Sequence, residues 1–157
     1  MLLADLLAQP LEPVHEVVKG LIERGITTLL TAPGDHYKST LALQLGLCIA
    51  AGASVWGRAV EQCTFLYLSY EDDNAEVHRR VARMLPQLGL PEDISRRVHV
   101  WDFRSKPGGP LYNVTAEGET DGPMLARLRA RLRAIPGHVF IAADSAYNVS
   151  VRSAPPV

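Results

Sequence analysis

At 157 residues the chain has room for one core, burying roughly two-thirds of the surface its unfolded form exposes. Apolar residues make up 47% and charged residues 21%, which excludes a largely disordered chain, and a formal net charge of −1 gives no support to a wholesale basic, nucleic-acid-coating surface. The longest uncharged stretch, from Ser39 up to Arg58, contains Gln44, three glycines and Ser54, so it reads as a buried helix with its exit loop and not as a membrane span.

Met1 to Pro13 is an apolar lead-in with two prolines. It carries Asp5 and has no early Lys or Arg and no small-residue cleavage site, so it does not resemble a signal peptide, and a cytoplasmic protein is expected. Val14 to Arg24 places Val14, Val17, Val18, Leu21 and Ile22 at helical spacing and predicts a helix that stops at Gly25. Ile26 to Ala32 is apolar and rich in β-branched residues, as a strand covered on both faces would be, and Pro33-Gly34-Asp35-His36-Tyr37 breaks it. Lys38 to Ala51 predicts a helix and Gly52 to Gln62 a loop containing Trp56-Gly57-Arg58, which resembles a loop that packs after such a helix in a known family.

Cys63 to Tyr70 predicts a second strand, ending in Glu71-Asp72-Asp73. Asn74 is placed to cap the next helix, with Ala75, Val77, Val81, Ala82, Leu85 and Leu88 as its buried stripe and Pro91 closing the unit. Val98 to Phe103 reads as a third strand, and Arg104 to Gly122 as a long polar loop. Pro123 suits the first turn of a helix with Met124, Leu125, Leu128, Leu132 and Ile135 inward and Arg127, Arg129, Arg131 and Arg133 outward. Val139 to Ala143 is a fourth strand ending at Asp144. Cys48 and Cys63 fall inside apolar elements without metal-site spacing and read as reduced core thiols. Strands alternating with helices predict an α/β fold, a three-layer αβα sandwich on a mainly parallel sheet, with a ligand site at the carboxyl ends of the strands.

Three features converge on that end of the sheet. Ala32 to Thr40 lies between strand and helix, the context of a phosphate-binding Walker A loop, whose backbone N–H groups turn inward around phosphates at the positive end of a helix. Lys38 would neutralise β- and γ-phosphate oxygens and Ser39 would offer its hydroxyl to Mg²⁺, with Pro33, Gly34, Asp35, His36, Tyr37 and Thr40 completing the cradle. Against the template G-x-x-x-x-G-K-[ST], Ala32 and Tyr37 stand where glycines are usual. The plain alternative is a capped helix start with Lys38 in solvent. Glu71, directly after its strand, is placed to polarise a water in line with the γ-phosphate, whereas Asp72 and Asp73 read as a solvated helix N-terminus. Phe140-Ile141-Ala142-Ala143-Asp144 has the Walker B form, an apolar strand ending in a carboxylate that would hold Mg²⁺ opposite Ser39.

On these residues the chain resembles the RecA-like ATPases related to hexameric plasmid replicative helicases of the RepA type, over Val14 to Val149. The most telling stretches are Ala32 to Gly52, Phe65 to Asp73, and Asp144. The resemblance implies ATP and Mg²⁺ as ligands, Lys38 at the phosphates, Glu71 as catalytic glutamate, Asp144 as Walker B aspartate, a homo-oligomer, and DNA as a partner of the full-length protein, with no membrane partner. Tyr37 departs from most of that family.

The expected organisation is a lead-in over 1–13, a RecA-like core over 14–149, and a tail over 150–157. The class inserts a later strand between the P-loop and Walker B strands, and Ser150 to Val157 has neither the length nor the pattern to supply it, so a fragment or truncated product is expected. Three functional readings stand: an ATPase motor of the replication-helicase type, a truncated, non-catalytic nucleotide-binding or protein-interaction module, and a stable α/β domain that binds no nucleotide.

Overall fold

The computed structural model describes residues 2–33, 37–105, 110–115, 118–145 and 150–152. A short helix α1 (Leu3–Leu7), with its leucines exposed, precedes a hairpin of β1 (Glu16–Val18) and β2 (Ile22–Glu23). Then follow α2 (Lys38–Ala51), β3 (Thr64–Ser69), α3 (Asn74–Leu88), a 3-10 turn (Glu92–Arg97) and β4 (Val98–Asp102). The chain continues through β5 (Tyr112–Thr115), β6 (Gly118–Asp121), α4 (Pro123–Ala134), β7 (Val139–Asp144) and β8 (Ser150–Arg152).

The central sheet runs β4-β3-β7, all parallel, with Phe65 opposite Val98 and Phe140, and Ser69 opposite Asp102 and Asp144. Because strand side chains alternate, β3 serves two layers. Phe65 and Tyr67 pack with Leu43 and Ala50 of α2 and Val77 of α3, while Leu66 and Leu68 pack with Met124, Leu125 and Leu128 of α4. The predicted three-layer α/β sandwich on a parallel sheet is therefore the architecture observed.

Local chemistry explains the helix ends. Gly52 and Gly89 close α2 and α3 in the left-handed conformation, and Pro123 opens α4 at its first turn. The cap of α3 is Asp73, whose side chain accepts from the Glu76 N–H at 2.8 Å; Asn74 is the first helical residue. Ala75 and Ala82, expected in the buried stripe of α3, are exposed, and Val77 is its buried residue.

Four other expectations change. Val14 to Arg24 is not a helix but the β1–β2 hairpin: Gly20 turns it at φ 66°, and Val17, Val18 and Ile22 are buried while Val14 and Leu21 are exposed. The β-branched residues that fitted a helical stripe fit a short pleat as well. Ile26 to Ala32 forms no strand, and Ile26, Leu29 and Leu30 are exposed. A strand covered on both faces needs hydrogen-bonding neighbours, and among the described residues none pairs with this segment, nor does any pair with the outer edge of β7. The polar segment from Arg104 to Gly122 contains β5 and β6, paired antiparallel, and Ser150–Arg152 adds a parallel strand to β5, outside the central sheet. Trp56 does not pack: it sits exposed at φ 48°, whereas Arg58 donates to the Lys19 carbonyl at 2.9 Å and ties the loop to the hairpin. Cys48 and Cys63 are buried free thiols, held above the usual thiol range by burial.

Candidate functional site

At the carboxyl end of β3 the chain leaves the sheet through Glu71 and Asp72 into α3, and α2 begins beside it. Between these elements lies a cleft of about 710 Å³, within the size range of small-molecule sites. Tyr37, Lys38, Ser39 and Thr40 form one wall; Glu71, Asp72, Glu76, Arg80, Arg83, Met84 and Gln87 form the other.

The first wall is an open helix N-terminus. Tyr37 takes the N-cap position at φ 57° and ψ 21°, and no side chain caps the helix, so the first-turn N–H groups face the cleft at the positive end of α2. Tyr37 thus occupies the left-handed region that a glycine would enter freely, with its ring 80% exposed. Lys38 folds back on the loop, donating to the carbonyls of Ala32 at 3.1 Å and Pro33 at 2.9 Å. Gly34, Asp35 and His36 lie outside the described residues.

The second wall is acidic and braced by arginine. Glu71 is exposed to the cleft, and Arg104 donates to its backbone carbonyl at 2.8 Å. Asp72 is not the solvated residue expected: Arg80 pairs with its carboxylate at 2.8 Å, and its own backbone carbonyl accepts from the Ser69 hydroxyl at 2.6 Å. Burial pushes the Asp72 carboxyl up, Arg80 opposes this, and the neighbouring Asp144, Glu76 and Glu71 reinforce it. Glu76 binds both Arg79 and Arg80, whose hydrogen bonds hold its carboxyl below the usual range. Asp144 does not line the cleft; it ends β7 nearly buried, 7% exposed, and accepts from the hydroxyl of fully buried Tyr67 at 2.6 Å.

The arrangement therefore combines an uncapped helix N-terminus with a lysine and a serine, facing a cluster of carboxylates. A family model described as AAA domain matches residues 1–151. The chain belongs to the AAA domain family. It is thereby a P-loop ATPase domain that binds nucleotide. No curated protein and no solved structure gives a match.

In this AAA domain the donor set suits Mg²⁺. Ser39 lines the cleft and Asp144 ends β7 behind it, and both carry hard oxygen atoms of the kind Mg²⁺ takes as ligands. No helix among the described residues is long and apolar enough to cross a membrane.

Two site residues escaped the sequence reading. Tyr67 sits inside an apolar run and was indistinguishable there from a core aromatic, its hydroxyl being the one signal. Arg80 was legible through charge spacing: it lies four residues beyond Glu76 on the same helix face, with Asp72 just before the cap.

Proposed function

We propose that this domain binds ATP with Mg²⁺ and hydrolyses it. The supporting observation is that Lys38 and Ser39, at an uncapped helix N-terminus, share one cleft with Glu71. In this reading the α2 N-terminus and the Lys38 ammonium hold the phosphates, with Pro33 to Thr40 as their cradle. Ser39 and Asp144 hold the metal, which supplies charge neutralisation at the phosphates. Glu71 orients the attacking water and takes its proton. Lys38 leaves the carbonyls of Ala32 and Pro33 to do its part, exchanging neutral acceptors for charged ones, which make hydrogen bonds roughly twice as strong.

The finer assignment, a RecA-like motor of the replicative-helicase type acting as a homo-oligomer on DNA in the cytoplasm, rests on the resemblance of Ala32 to Gly52 and Phe65 to Asp73 to that family. The alternative, a module that binds nucleotide without turning it over, is favoured by Tyr37, a bulky residue lining the cleft where a glycine is usual. Binding of a fluorescent ATP analogue with and without Mg²⁺, followed by phosphate release, separates the two. Magnesium-dependent binding with release supports the ATPase, binding without release supports the module, and no binding overturns both.

A further inference from the structure

Behind the cleft, the phenol of Tyr67 and the carboxylate of Asp144 form a buried pair. Tyr67 is 0% exposed and packs by its ring against Phe65, at a centroid distance of 6.1 Å. Its hydroxyl donates to one oxygen of Asp144, Oδ2, at 2.6 Å, short for an O–H to carboxylate bond and therefore strong. The two residues lie on neighbouring parallel strands, and the pairing of Ser69 with Asp144 fixes how far each strand reaches.

A carboxylate at the end of an edge strand has rotational freedom about its side-chain torsion, which broadens the set of positions its oxygens visit. The Tyr67 hydroxyl restricts that freedom by holding Oδ2. A phenol keeps its proton at neutral pH and a carboxylate can only accept, so Tyr67 is the donor of this pair. Tyr70, the other aromatic phenol at this end of β3, stacks on Phe103 at 4.5 Å, on the side facing α4, and does not share this role.

We infer that Tyr67 is a positioning residue for the metal: its hydroxyl orients Asp144 so that one carboxylate oxygen is presented to the hydration shell of Mg²⁺. This rests on the metal role proposed for Asp144. Outer-shell partners of metal ligands typically contribute about 10- to 100-fold to metal affinity, so a single lost hydroxyl at one ligand falls at the lower end.

The test is a Mg²⁺ titration of fluorescent ATP-analogue binding, with a parallel measurement in EDTA, on Tyr67→Phe, Asp144→Asn and the double variant. Tyr67→Phe is expected to raise the half-saturating Mg²⁺ concentration about 10-fold while affinity in EDTA stays unchanged. The double variant should match Asp144→Asn alone, since Tyr67 acts through Asp144. A Tyr67→Phe half-point equal to wild type beside a shifted Asp144→Asn, or additive shifts in the double variant, overturns the inference and leaves the metal role of Asp144 standing. An unshifted Asp144→Asn overturns that role and the inference together. Should Tyr67→Phe fail to fold, Asp144→Glu serves instead: it keeps the charge but carries the carboxylate one methylene past the phenol, and an unchanged half-point there also overturns the proposal.

Discussion

The ammonium of Lys38 donates to the carbonyl of Pro33 at 2.9 Å, so the cation lies back over its own loop. The same side chain reaches Ala32 at 3.1 Å, and both contacts are exposed. Replacing Lys38 by Ala therefore costs the fold little, within about 0.5 kcal/mol, as for other surface substitutions. On the role proposed for Lys38 it also removes a charged phosphate contact, expected to cost about 1.5–3 kcal/mol, or roughly 10- to 100-fold in affinity. Denaturation midpoints and analogue binding measured on the same preparation check both halves.

Glu71 makes the complementary prediction. It faces the cleft from the opposite wall, and its change to Gln keeps shape and most polar contacts. Analogue binding should stay near wild type while phosphate release falls about 10²- to 10⁴-fold, the usual contribution of a positioned base. Loss of binding in parallel with turnover would contradict the water-orienting role.

Gly46 fixes α2 against β3. A Cβ built there would lie 2.2 Å from the ring of Phe65, a contact no side chain tolerates. Gly46→Ala should destabilise the domain by about 1–3 kcal/mol, with Phe65→Leu recovering part of the loss by vacating the space. Urea unfolding of the single and double variants tests this, and additive losses would show that the two sites do not share that contact.

Tyr37 sits at φ 57°. Gly or Asn at this position should leave stability within about 1 kcal/mol, because the relief of left-handed strain offsets the added freedom of the unfolded chain. Val, whose branched Cβ makes this region a genuine outlier, should lose about 1–2 kcal/mol. Equal stability of the Gly and Val variants would mean that the left-handed backbone does not persist in solution.

His99, on β4, is held below the ordinary imidazole value of 6.5 by burial and by the nearby Arg131 guanidinium. Its folded pKa is thus depressed relative to the unfolded chain, so its contribution to stability is present above about pH 6.5 and is lost as pH falls through the folded value. His99→Gln should flatten the decline in stability just below pH 6.5 without altering it at pH 8, as followed by denaturant midpoints across that range.

What the sequence revealed depended on whether one period or one neighbour sufficed to decide an element. The strand from Thr64, the helix from Lys38 and the helix from Pro123 each carry an apolar pattern long enough to stand alone, and Lys38, Ser39 and Glu71 could be placed together from order along the chain. Val17, Val18 and Ile22 satisfied a helical and a pleated pattern equally, and Gly20 decided between them through a turn no periodicity encodes. Ile26 to Ala32 has strand composition, but a strand exists only with a partner, which composition does not report. Asp72 differs from its local reading for a related reason: its salt bridge spans eight residues to Arg80, and a triplet of acids read locally looks solvated.

The alternation along β3 has one more consequence. Phe65 and Tyr67 face α2 and α3, Leu66 and Leu68 face α4, and Glu71 follows two residues after the strand ends. A slip of one residue against β7 would turn the aromatics into the wrong layer and carry the phenol away from Asp144 in the same movement. The register that seats the aromatics in their layer is thus the same register that brings the Tyr67 hydroxyl to Asp144.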